Sequence, residues 1–313
     1  MNVRKFLALC MVLALICGFA FAKGGQQGGT KQITVGYAPT TMNNPFWLAV
    51  LEGVKSVLDP AGVRIVTIDP QNDQSLMNDK INDLLVLGID VLLVAPFDSA
   101  GVRPALEECQ RRGVPVVNFD TPVVNKNLVA SIIASDNVNA GAVVAKDMMS
   151  KLPRGSKVAI IHSPSGGACI DRYDGFMKES AGYFNIVQPI PDGKGDTGVT
   201  LPLANDIIQG NPDLKAFFAV NDPSAAGCVR ALAENRKQGV LVYGVDGAPD
   251  AKQMIVEGTM TGTGAQSPIG IGKRTAEIAL DVLAGKSVQA NIVIPTFIIN
   301  SDNVRTYNVK GWQ

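Results

Sequence analysis

Residues 63–118 read VRIVTIDPQNDQSLMNDKINDLLVLGIDVLLVAPFDSAGVRPALEECQRRGVPVVN, and this stretch decides the fold. A β-branched run at 63–68 is followed by an amphipathic segment at 74–87. A second apolar run at 91–94 precedes another helical segment from about 100 to 112, and Val114-Pro-Val-Val-Asn118 closes the set. Apolar runs of strand length alternating with helical segments of about 10–15 residues are the pattern of parallel strands joined by crossover helices.

The same alternation extends in both directions. Toward the amino end, Ile33-Thr-Val-Gly-Tyr37 leads to a helix beginning near Pro45. Toward the carboxyl end the pattern restarts with Val129-Ala-Ser-Ile-Ile133, and Ser135-Asp-Asn137 opens the next helix. Further strands are expected at 158–161, 186–187, 216–219 and 240–245. Leu152-Pro-Arg-Gly155, Asn211-Pro-Asp213 and Ala248-Pro-Asp250 read as turns between elements. The fold class that follows is α/β, with two doubly wound parallel-sheet lobes, and 313 residues suit two domains better than one.

Arg4 and Lys5 precede an uncharged apolar run at 6–21 that ends in Ala20-Phe-Ala22, the layout of a secretory signal peptide over residues 1–22. The run is shorter than the roughly 20 residues that span a bilayer, and the glycine- and glutamine-rich residues 23–31 read as a flexible spacer. A lipid anchor through Cys17 is disfavoured, because Ala14-Leu-Ile16 is bulkier than such a site prefers. The protein is therefore expected to be exported to the periplasm or beyond, and soluble once processed.

Lysine and arginine total 28, aspartate and glutamate also 28, so strong attraction to nucleic acid or an anionic membrane is not expected. The single histidine, His162, leaves few routes to a His-based triad or a multi-histidine metal site, and it reads as a polar residue at a strand end. Beyond Cys10 and Cys17, the cysteines Cys109, Cys169 and Cys228 are unpaired in spacing, so no disulfide framework, metal site or cofactor is expected.

In α/β sheets ligands bind beyond the carboxyl ends of the strands, and four such junctions hold polar groups. In Thr40-Thr-Met-Asn-Asn-Pro-Phe-Trp47, Asn44 offers an amide donor and acceptor beside the flat faces of Phe46 and Trp47; equally, Asn44 caps a helix started by Pro45 while the aromatics enter the core. Val116-Val-Asn-Phe-Asp-Thr121 runs out into Asp120, Phe217-Phe-Ala-Val-Asn-Asp222 into Asn221, and Val242-Tyr-Gly-Val-Asp-Gly247 into Asp246. A carboxylate there can accept from two neighbouring hydroxyls; each residue is also a plausible helix cap.

With these motifs in view, the chain from about Lys31 onward resembles the periplasmic sugar-binding proteins of the ribose-binding type. The resemblance rests on Asn43-Asn-Pro-Phe46, Pro115 to Asp120, Ala134-Ser-Asp-Asn137, Arg172 before Gly175-Phe176, Ala219-Val-Asn-Asp222, Gly244-Val-Asp-Gly247 and Ala265-Gln266, in that order. It implies that Thr40, Asn44, Phe46, Trp47, Asp120 and Thr121 line a pocket on the first lobe, and Arg172, Asn221, Asp246 and Gln266 line it on the second. It also implies a three-segment hinge with crossings near 134–136, 266–268 and 294–296, the first lobe comprising 32–134 and 267–295 and the second 135–266 and 296–313. Two positions depart from the ribose binders: Thr121 stands where they carry arginine, and Gly195 where they carry an aromatic. Both enlarge the site, which points to a hexose, a polyol or another polyhydroxylated compound such as an inositol, a nucleoside or a furanone signal.

The function so implied is capture of a small sugar or polyol by hinge closure and its delivery to the permease of an ABC importer, by a monomer that can also serve a chemoreceptor. A glycosidase would pair Asp120 with Asp246; no catalysis is expected. A sugar-sensing regulator would need a basic helix-turn-helix at the amino end, where the apolar leader stands. Asp246→Ala and Arg172→Ala are each expected to abolish ligand binding without unfolding the protein.

Overall fold

The computed structural model describes residues 32–313; the signal peptide read at 1–22, the spacer at 23–31 and the cysteines Cys10 and Cys17 lie outside the described residues. In chain order come β1 (Thr34–Ala38), α1 (Pro45–Leu58), β2 (Arg64–Thr67), α2 (Gln74–Leu87), β3 (Val91–Val94), α3 (Arg103–Arg112), β4 (Val116–Phe119) and β5 (Ser131–Ser135). They are followed by α4 (Asn137–Lys151), β6 (Lys157–Ile161), α5 (Gly167–Glu179), β7 (Asn185–Ile186), α6 (Thr197–Gly210), β8 (Ala216–Ala219) and α7 (Asp222–Glu234). Then come β9 (Leu241–Asp246), α8 (Pro249–Glu257), β10 (Gly262–Ala265), α9 (Pro268–Leu283), β11 (Asn291–Ile294) and β12 (Phe297–Asn300).

Side chains at the strand ends start several helices. Asn44 holds extended backbone and accepts from the amide of Phe46, while Pro45 occupies the first turn, where its missing donor is not needed. Asp73, Asp136 and Asn221 cap α2, α4 and α7 in the same way. Two sequence expectations shift for similar reasons. The helix expected from about 100 starts at Arg103, because Asp98 Oδ1 first folds Ala100 and Gly101 into a turn. Ala248-Pro-Asp250 is the start of α8 rather than a turn, with Pro249 in its first turn.

The strands form two six-stranded sheets, in the orders β11-β5-β4-β3-β1-β2 and β12-β10-β9-β8-β6-β7. The segments β2-β1-β3-β4-β5 and β7-β6-β8-β9-β10 repeat one doubly wound order, whose direction of winding reverses between β1 and β3 and between β6 and β8. All pairings are parallel except β10 with β12, which is antiparallel. Both faces of each sheet are buried, as parallel sheets require. In the first lobe one face packs under α1 and α9 and the other under α2 and α3; in the second, α4 and α5 cover one face while α6, α7 and α8 cover the other.

Helix pairs on the two lobes touch backbone to backbone at glycines. A Cβ on Gly53 of α1 would overlap the carbonyl of Ile269 of α9, and one on Gly272 that of Val50. A Cβ on Gly141 of α4 would overlap the carbonyl of Arg172 of α5, and one on Gly175 that of Val138. The chain crosses between sheets three times, from β5 to α4, from β10 to α9 and from β11 to β12. Two crossings are bonded to each other: the amide of Asp136 donates to Ile294 at 2.8 Å, Thr296 Oγ1 donates to the Asp136 carbonyl at 2.9 Å, and Asn139 Nδ2 donates to the Thr296 carbonyl at 2.9 Å.

Candidate functional site

A cavity of about 390 Å³ opens where the carboxyl ends of both sheets meet, within the range usual for small-molecule sites. All ten residues singled out in the sequence line it: Thr40, Asn44, Phe46, Trp47, Asp120, Thr121, Arg172, Asn221, Asp246 and Gln266. Their convergence follows from topology, since each lies at or beyond a strand's carboxyl end or, for Phe46, Trp47 and Arg172, on the first turns of the helix that follows.

Arg172 organises the interior. It is 4% exposed, and its Nε donates to Asn137 Oδ1 at 2.8 Å while Nη1 donates to the Val220 carbonyl at 2.9 Å and to Asp246 Oδ1 at 3.3 Å. Among the described hydrogen bonds Nη2 makes none, which leaves its donors for a guest. Asp246 Oδ1 also accepts from Gln266 Nε2 at 2.8 Å, and Oδ2 accepts from the Asp222 amide at 3.4 Å. Asp222 is itself buried, accepting from Thr263 Oγ1 at 2.7 Å and from the Ala248 amide at 2.8 Å.

Among the described residues that line the cavity, two buried acceptors lack hydrogen-bond partners: Asp120 Oδ1 and Gln266 Oε1. The other Asp120 oxygen accepts from Thr121 Oγ1 at 3.0 Å. Burial raises the Asp120 carboxyl above its ordinary value, against the opposing pull of Arg172, and burial likewise raises Asp222 and Asp246. Three carboxyls thus surround one guanidinium. Asp120 and Asp246 also sit at positive φ, +56° and +146°, which side chains rarely adopt; strain of this kind gathers where a group must be aimed.

The aromatic side is dry. Phe46 and Trp47 are 4% and 6% exposed and meet edge to face at 5.1 Å, with Trp47 also against Phe119 at 6.0 Å. They therefore enter the core and edge the cavity at once. Asn44 spends its Oδ1 on the helix cap, leaving Nδ2 without a hydrogen bond among those described. Asn221 is more committed: Oδ1 caps α7 through Ser224 at 3.0 Å and Nδ2 donates to the Gly195 carbonyl at 3.0 Å, so it mainly holds the loop at the cavity wall.

Sequence reasoning passed over Asn137, Asp222, Phe97 and Trp312, of which all but Asn137 line the cavity. Asp222 ended a motif already in view, whose Asn221 was taken as the site residue; Trp312 belongs to no strand-to-helix junction and gave no signal. His162 stands one residue past β6, stacked on Tyr173 at 4.6 Å and away from the cavity lining. The three described cysteines are unbonded.

A family profile described as a periplasmic binding protein domain matches residues 35–287. The chain belongs to the periplasmic binding protein family. This binding protein is 34% identical over 297 residues to the ribose import binding protein RbsB of Bacillus subtilis, covering 94% of this chain and 96% of that one. It is 30% identical to the D-allose-binding periplasmic protein of Escherichia coli, over 77% and 81% of the two chains. Among solved structures, an ABC transporter solute binding protein from Mycobacterium smegmatis with bound glycerol has a TM-score of 0.82 at 30% identity, covering 90% of this chain and 98% of that one. The two-lobed α/β architecture is that of the family, and the family is one of solute-binding proteins.

Proposed function

We propose that this periplasmic binding protein captures a neutral sugar or polyol in the cleft, without chemically altering it, and presents the closed form to the permease of an ABC importer. The observation that carries the reading is the set of unfilled hydrogen-bonding valences on residues that line one cavity. Asp120 Oδ1 and Gln266 Oε1 are buried acceptors without donors, while Arg172 Nη2 and Asn44 Nδ2 are donors without acceptors among the described bonds. A hydroxyl both donates and accepts, so a polyhydroxylated guest satisfies both kinds at once. Leaving either kind unmet in a dry closed cleft costs about 1–3 kcal/mol per group.

Three buried carboxyls against one guanidinium disfavour anionic guests such as sugar phosphates. The same groups argue against hydrolysis: both oxygens of Asp246 are already engaged by Arg172, Gln266 and the Asp222 amide, so it is not free to activate water or attack carbon. The names borne by the relatives, ribose import for one and D-allose binding for the other, agree with this reading.

Thermal-shift measurement on the exported form with D-ribose, D-allose, xylitol, myo-inositol and D-ribose 5-phosphate tests it. A guest at about 100 times its Kd stabilises the native state by about 2.7 kcal/mol. At least one neutral compound is expected to raise the melting temperature, and the phosphate is not. A shift from the phosphate alone would defeat the proposal.

A further inference from the structure

The residues after the turn Val304–Thr306 leave the second lobe's core, where Tyr307 stacks on Phe297 at 5.5 Å, and run to the cleft. They are firmly held on the way. Lys252 of α8 is 0% exposed, and its described hydrogen bonds both end on this segment, at the Gly311 carbonyl (2.6 Å) and Gln313 Oε1 (2.9 Å). A buried ammonium is tolerated only where such acceptors are supplied. Gln313 Nε2 in turn donates to the Asp246 carbonyl at 3.2 Å and, by a short bond, to the Gln266 carbonyl.

The backbone makes room for this contact. Gly247, at φ +76°, is where a Cβ would overlap Gln313 Nε2, so a bare α-carbon beside Asp246 admits the amide. Between these anchors Trp312 points the other way. Its ring meets Phe46 of the first lobe edge to face at 5.8 Å, packs against that lobe's core, and lines the cavity. The other aromatics lining the cavity, Phe46, Trp47 and Phe97, come from the first lobe; Trp312 arrives on chain anchored to the second. It also stays half-exposed where Phe46 and Trp47 are buried.

We propose that residues 311–313 form a strap across the cleft, and that Trp312 is a specificity-determining wall of the binding cavity that bears on the C–H face of the guest. The assignment rests on the polyhydroxyl reading of the cleft. Aromatic faces contribute to recognition through both area and geometry, and a buried aromatic anchor is where truncation is felt most.

Two measurements decide it. Calorimetric titration of wild type, Trp312→Ala and Trp312→Phe with D-ribose, D-allose, xylitol and myo-inositol is expected to show affinity falling at least about tenfold for the alanine variant, with the phenylalanine variant staying within about threefold of wild type. Wild-type affinity in Trp312→Ala would overturn the wall. Acrylamide quenching of Trp312 in ligand-free Trp47→Phe protein tests the strap without any guest: weak quenching is expected, rising when Gln313→Ala is added. Quenching as for free indole before that change would overturn the strap. Wild type that binds none of the four probes would overturn the polyhydroxyl reading, and the strap would then stand or fall on quenching.

Discussion

Arg172 must serve two carboxyls that bulk water scarcely reaches, Asp246 at 3.3 Å and Asp120 across the cavity. Removing one partner of a buried pair costs about 3–5 kcal/mol, because the remaining charge is left without compensation. The sequence suggested that Arg172→Ala and Asp246→Ala would spare the fold; with these side chains 5% and 6% exposed, both are now expected to lower the melting temperature as well as abolish binding. Calorimetry of the ligand-free variants, paired with titration, checks this, and an unchanged melting temperature for Arg172→Ala would remove it from the buried network.

The carboxyls also set a pH dependence. Burial raises Asp120, Asp222 and Asp246 above their unfolded values, so in the window between unfolded and folded values the native state binds more protons than the unfolded chain. Their contribution to stability is complete below the unfolded value and is lost as pH rises through the raised one. Asp246→Asn is thus expected to flatten the fall in stability on going from mildly acidic to neutral pH, read from urea midpoints at several pH values. Guest hydroxyls that donate to Asp120 favour its ionised form, so binding in that range should release protons. Titration in buffers of different ionisation enthalpy detects them; identical apparent enthalpies would contradict it.

At the scale of elements, the glycine contact between α4 and α5 governs where Arg172 sits. Gly141 lets the Arg172 backbone approach α4, and Asn137 at the start of α4 then reaches Arg172 Nε. Gly141→Ala is expected to cost about 1–3 kcal/mol by overpacking and to weaken binding, whereas Gly210→Ala, at a helix end with open space, should change neither much. Denaturant midpoints with matched titrations distinguish the two. Much of this layer was legible beforehand, because strand and helix periods differ and caps mark the joints. The exceptions have physical causes. β10 reads Gly-Thr-Gly-Ala, its glycines required where α4 and Tyr243 lie close, so it shows no apolar alternation. β11 and β12 flank Pro295 and Thr296 in one apolar stretch that does not separate them as two strands, although the resemblance placed a crossing near 294–296. Asn44, Asp120, Asn221 and Asp246 were readable from the strand ends they follow, and Arg172 and Gln266 only through the resemblance; Trp312 sits at no strand end.

For the whole molecule, if the lobes close on a guest by the hinge motion expected from the sequence, the bonded crossings at Asp136, Thr296 and Asn139 are where that rotation would be absorbed, as hinges concentrate change in a few residues at element ends. Asn139→Ala removes the bonds from its side chain to Thr296 while lying outside the cavity lining. It is expected to broaden the range of lobe angles, enlarging the ligand-free radius of gyration in X-ray scattering and weakening affinity through a faster off-rate. A scattering curve identical to wild type would show the crossings to be passive.

The three crossings carry one more implication, for synthesis. The first sheet takes its edge strand from 291–294, and α9, which covers that sheet's face, comes from 268–283. The second sheet waits for 297–300. The first sheet therefore cannot be completed before residue 294 is made, nor the second before residue 300, and a stop before residue 291 leaves each sheet one strand short.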